Sequence, residues 1–169
     1  MPDTIALYTM FALLAAGILT DLRSGKIYNL VTVPCAAAGL ALGAMAGGLP
    51  GMADRLLAIG LVFLVTLLLS PVSQLGGGDV KLLMAVGALQ GVHFTLWALL
   101  FTGVAGGLLA LVALVRRRLL KHTATNMLTH MVSLAAGVPT DLATGSAMGK
   151  IQYSLAIALG ALAALAIGA

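Results

Sequence analysis

Apolar residues run along this chain in long blocks, separated by short joints that hold most of the charges and many of the glycines and prolines. The blocks cover 4–20, 29–47, 56–72, 80–91, 94–115 and 151–168. About 20 predominantly apolar residues let a helix cross a bilayer. The pattern therefore predicts an all-α, polytopic membrane protein with about six transmembrane helices in one domain, 1–169. The fourth block is short. It predicts a helix that begins inside the protein, where other helices or a water-filled cavity cover its end. Only Pro2 and Asp3 precede the first block, with no basic residue, so it reads as a retained first helix and not as a secretory signal.

One joint is long, 116–150. Within it, 119–135 place Leu120, Ala124, Met127, Leu128, Met131 and Leu134 at helical spacing behind a basic cluster. This predicts an amphipathic helix on the membrane surface, in contact with lipid. Residues 136–149 read as an irregular loop. Small residues recur every four positions at Gly39, Gly43 and Gly47, and again at Gly103 and Gly107. Such stripes let membrane helices approach closely.

Composition narrows the class. The chain is 61% hydrophobic and 8% charged, against about half and about a quarter in a soluble domain. Too little polar surface exists to coat a soluble globule. Net charge is +4, from nine Lys/Arg and five Asp. The basic residues lie between the apolar blocks, so the excess reports topology and not nucleic-acid binding. Alternating the six spans puts Arg23, Lys26, Lys81, Arg116, Arg117, Arg118, Lys121 and Lys150 on one side, with Arg55 alone on the other. The positive-inside rule then makes the first, third and fifth joints cytoplasmic.

Three acids, Asp3, Asp54 and Asp141, fit terminal or loop positions. Asp21 and Asp79 differ. Asp21 ends the first span and Asp79 opens the fourth, both at the cytoplasmic border of the membrane. An acid this close to hydrocarbon is costly, and function is the default reading. Two carboxyl groups brought close in a low-dielectric site share a proton. One can act as general base on water while the other donates to a carbonyl. A helix N-terminus favours charge on Asp79, which points to it as the base, but the sequence leaves that assignment open. Asp79 follows Gly76-Gly77-Gly78, and glycines allow close backbone approach. The same four residues also read as a flexible turn with a helix N-cap.

These residues resemble the prepilin peptidases. Gly76, Gly78, Asp79, Lys81 and Leu82 fit the family's GxGD-x-K-L signature. Asp21-Leu22-Arg23-Ser24-Gly25-Lys26-Ile27-Tyr28-Asn29 is similar to its first site, an Asp followed by basic residues and Ile-Pro-Asn. Ile151-Gln152-Tyr153-Ser154 through Ala158 resembles the start of its last helix, usually written around Pro-Tyr-Gly and Ala-Ile-Ala. Tyr28, Gln152 and Ser154 depart from the usual Pro, Pro and Gly.

The resemblance implies a membrane aspartic endopeptidase with Asp21 and Asp79 as the catalytic pair. Gly76, Gly78, Lys81 and Asn29 would be supporting residues, and no cofactor is needed. Its substrate would be a prepilin-like precursor with a basic leader and a hydrophobic helix. The cut would fall at the cytoplasmic face of the inner membrane. Larger members add a cytoplasmic domain with paired cysteines that methylates the new N-terminus. This sequence shows none, so the resemblance is to the short branch serving Flp-type pili or archaeal-type filaments.

The other candidates are weaker. His93, His122, His130 and Cys35 share no metal-ligand spacing. Lys81 lies two residues past Asp79, an offset that does not favour an ion pair on a helix. It reads equally as a headgroup anchor or a site residue. Phe94 and Trp97 suit an interfacial aromatic belt. Two further functional classes compete: a small ion-coupled transporter using the same two aspartates, and a non-enzymatic assembly subunit.

Overall fold

A computed structural model describes residues 2–69, 76–116 and 153–169. Among these the chain is helical, with no strand. The helices are α1 (Pro2–Ser24), α2 (Asn29–Leu69), α3 (Gly77–Gln90), α4 (Val92–Arg116) and α5 (Tyr153–Ala166). The amphipathic segment expected at 119–135 and the loop at 136–149 lie outside the described residues.

Among the described residues three helices are long and apolar enough to cross a membrane: α1, α2, and α4 over Val92–Val112. This corrects the expectation of six, and helix length is the reason. At 1.5 Å per residue, the 14 residues of α3 or of α5 span about 21 Å, short of the roughly 30 Å hydrocarbon core. The second and third blocks are also continuous in one 41-residue element. Its only break is Gly48, at φ 62° and ψ −141°, a backbone state open to glycine and strained for other residues. Pro50 follows in the first turn of the second arm, where its missing N–H breaks no helical bond.

At this kink the two arms touch through glycine. A Cβ on Gly43 would lie 2.9 Å from the Gly51 carbonyl oxygen and 2.6 Å from Arg55 Cγ. Both arms then pack on α3, through Gly39 against the Ala88 carbonyl and Ala58 against Gly87. Thus the joint expected at 48–55 is helical, and Asp54 and Arg55 are helix residues. Gly39 and Gly43 serve the close approach that their spacing predicts. Gly47, Gly103 and Gly107 meet nothing within 4 Å.

The bundle is built from 1–106 with 152–169; of the rest of the chain, the described residues 107–116 are the last part of α4. α3 forms its centre, packed by α1, α2 and α5. Leu82, Leu83, Val86 and Leu89 of α3 meet Met10 and Leu13 of α1, Val62 of α2, Phe94 and Ala98 of α4, and Ile157 of α5 in one core. Phe94 is therefore a core residue and not part of an aromatic belt. Trp97 is partly exposed and stacks on Phe101, ring centroids 6.0 Å apart. Large apolar side chains such as Leu57, Leu64, Leu68, Leu100 and Leu108 face outward, as a lipid solvent requires.

Several hydroxyls inside these helices bond back to their own backbone, while those of Thr32 and Thr102 are buried with no partner among the described residues. Thr9 donates to the Ile5 carbonyl at 2.8 Å, Thr66 to Val62 at 2.7 Å, and Thr95 to Gly91 at 2.6 Å. Such bonds let a hydroxyl sit in an apolar helix without an unsatisfied donor.

Candidate active site

The buried residues of α1 are Ala6, Met10, Leu13, Leu14, Gly17 and Asp21. Steps of three and four make one stripe on the face that meets the bundle. Asp21 is its last member and the only charged one. Helical periodicity thus carries the carboxylate inward, while Arg23 and Lys26 just beyond it stay exposed.

Two contacts set the register of α1 against α3. A Cβ on Gly17 would lie 3.0 Å from Leu82 Cδ1, and one on Gly78 would lie 3.1 Å from Ile27 Cβ. Moving forward along α1 therefore means moving backward along α3, so the two helices are antiparallel. Asp21 is one turn beyond Gly17, and Asp79 is one turn before Leu82. Both aspartates therefore lie toward the same end of the α1–α3 pair.

The glycines of the 76–78 run take separate parts. Gly76 is the N-cap of α3, in extended conformation with no side-chain cap bond. Asp79 is the third helical residue and not the N-cap. Its N–H donates to the Gly76 carbonyl at 2.9 Å. Its Oδ2 lies 3.1 Å from where a Gly76 Cβ would be, so the carboxylate bends back over the start of the helix. The unpaired N–H groups there favour negative charge. Gly78 lets the joint between α1 and α2 lie against α3 through Ile27. Gly77 meets nothing within 4 Å.

Lys81 reaches the start of α2. Its Nζ donates to Asn29 Oδ1 at 2.9 Å. Asn29 opens α2, so the bond ties the start of α2 to the first turns of α3. These two residues meet each other, and both are exposed.

A further residue of this site is one that the sequence marks only as a departure from the usual Gly, with no role in the chemistry. Ser154, fully buried in the first turn of α5, donates from Oγ to Asp21 Oδ2 at 2.6 Å. Unlike the threonines above, its hydroxyl leaves its own helix. The available signal was a hydroxyl at the head of an almost wholly apolar block. Such a group needs a partner once buried, and this end of the bundle holds two acids.

Among the described residues no group of three or more His, Cys, Asp or Glu side chains could hold a metal ion. The site thus joins the end of α1, the start of α3 and the start of α5. It holds two carboxyl groups at one end of the bundle, and Asp21 accepts from a buried hydroxyl. Two such groups can divide base and acid work on a water molecule.

Comparison with curated proteins and with solved structures finds no match. The profile of the type IV leader peptidase family matches residues 8–111, a stretch that holds both aspartates and ends before Ser154. With that match over more than half its length, the chain belongs to the type IV leader peptidase family.

Proposed function

We propose that this protein is an aspartic endopeptidase that removes the leader of prepilin-like precursors, with Asp21 and Asp79 as its catalytic pair. The observation that supports the reading is the antiparallel packing of α1 on α3, which brings the end of α1 with Asp21 and the start of α3 with Asp79 to the same end of the bundle. Their shared position at one end of the bundle suits a cut beside the membrane surface. Family membership supports the reaction class.

In the reaction, one carboxylate takes a proton from water as the oxygen attacks the scissile carbonyl carbon. The other, protonated, donates to the carbonyl oxygen. The tetrahedral intermediate then collapses. The C–N bond breaks, and a carboxyl proton passes to the leaving amine. The products are a leader with a free carboxylate and a helix with a new amino terminus. The pair returns to its starting charge, with no covalent acyl-enzyme.

The substrate would place its hydrophobic helix among the spans and draw its basic leader out across the aspartates. The basic joints suit a site at the cytoplasmic face of the inner membrane. A precursor of the Flp type is the proposed substrate class.

The test is co-expression with candidate prepilins, followed by mass spectrometry of the new N-terminus. Wild type should yield one defined cut between leader and helix. Asp21→Asn and Asp79→Asn should each abolish it while the protein stays folded in the membrane. Normal processing by either variant would overturn the assignment. If the variants instead lose ion-coupled uptake and cleavage is never seen, the chain is a carrier.

A further inference from the structure

Ser154 is the observation that the catalytic pair alone does not absorb. Its hydroxyl is fully buried and lies 2.6 Å from Asp21 Oδ2, across 133 residues of chain. It stands where the resemblance to the prepilin peptidases expects glycine, which has no side chain to offer. From the geometry we infer that Ser154 is a positioning residue. It claims Oδ2 of Asp21 as an acceptor and thereby turns Oδ1 toward the reacting water. This inference rests on the peptidase reading above.

Among the described residues, the charged and titratable groups at this end are Asp79 and Lys81 on α3, Arg23 on α1, Lys26 and Tyr28 in the joint, and Tyr153 on α5. Arg23, Lys26 and Lys81 are exposed, and Lys81 donates to Asn29. Tyr153 packs beside Gly106 of α4, its ring 3.2 Å from where a Cβ would be. The buried donor that reaches the Asp21 carboxylate is Ser154.

The buried hydroxyl occupies Oδ2 of Asp21 and leaves Oδ1 for the reacting groups. The hydroxyl also fixes rotation about the Asp21 carboxyl group, because one of its two oxygens is tethered to α5. A reacting group aimed in this way needs no reorientation when substrate arrives. A chain with glycine at 154 would have to fix the same carboxyl group by other means.

The experiment uses full-length protein in lipid vesicles and a synthetic prepilin-like peptide. Ser154→Ala keeps the helix and most of the volume and removes only the hydroxyl. The expected result is a kcat per folded molecule lower by about tenfold, with KM within twofold of wild type. Ser154→Thr keeps a hydroxyl on the same Cβ and should return kcat to within about threefold.

Equal kcat in wild type and Ser154→Ala overturns the inference, as does a loss that appears only in KM or only as less folded protein. If the threonine variant folds and is as slow as the alanine variant, the hydroxyl is not the cause and the inference again fails. If it does not fold, the kcat and KM of Ser154→Ala decide. Should wild type cleave no prepilin-like peptide, the peptidase reading falls and this inference with it. A wild type that cleaves beside an unaffected Ser154→Ala removes the inference alone.

Discussion

At the scale of single residues, identical glycines do different work, and substitution separates them. A Cβ on Gly39 would lie 2.5 Å from the Ala88 carbonyl carbon and 2.7 Å from the Leu89 nitrogen. These are backbone atoms of the central helix and cannot swing aside. Gly39→Ala should therefore destabilise the bundle by about 1–3 kcal/mol, the usual cost of overpacking. Gly47→Ala, two turns along the same stripe, meets open space and should leave stability unchanged. Unfolding midpoints in mild detergent compare the two, and equal behaviour would refute the packing role. The sequence shows the stripe but not which of its glycines meets a neighbour, because that depends on the register between helices. Ser154 was hidden for the same reason. Asp21 and Asp79 were legible because their positions at the ends of apolar blocks are a local property, and so is the GxGD spacing.

At the scale of elements, the end of α3 opposite the aspartates is closed by two adjacent residues of α2. Arg55 donates from Nη1 to the Leu89 carbonyl, near the C-terminus of α3. Asp54 accepts from the Val92 N–H through both oxygens, at 3.4 Å each, at the N-terminus of α4. Each charge has the sign that the helix end it meets prefers. Between the two ends lies Gly91, at φ 88°, which makes the sharp joint. Arg55→Ala should cost about 1.5–3 kcal/mol, the range for a hydrogen bond to a charged group. The cut made per folded molecule should not change, since Leu89 is about 15 Å along α3 from Asp79. Folded yield and cleavage measured on the same preparation check both halves, and a drop in specific cleavage would show that the far end matters to the site. The sequence placed Asp54 and Arg55 in a joint between spans. It did so because the apolar pattern breaks between the blocks 29–47 and 56–72. The chain does turn there, but at Gly48 alone, and helix resumes at once.

At the scale of the whole molecule, the apolar blocks announced the helical class and the membrane setting. They overstated the number of full spans among the described residues, because two blocks form helices of 14 residues and two others join across the kink at Gly48. The short α3 is tolerable in a bilayer because its sides are covered by other helices, with residues 82 to 89 buried except Met84. Orientation is the property from which substrate access follows. Antiparallel packing of α1 on α3 puts the joint 25–28 at the aspartate end and the joint at Gly91 at the other. If the basic joints hold the aspartate end in the cytoplasm, a leader retained on that side reaches the site without crossing the bilayer. Single-cysteine probes decide this in a Cys35→Ser background. Lys26→Cys, exposed beside the aspartates, should react with a membrane-impermeant maleimide in inverted vesicles and resist it in spheroplasts. His93→Cys, exposed at the start of α4, should show the reverse. Labelling of both from one side would contradict the antiparallel arrangement in the bilayer. The two patterns exchanged would keep the bundle but place the carboxyl pair outside, out of reach of a cytoplasmic leader.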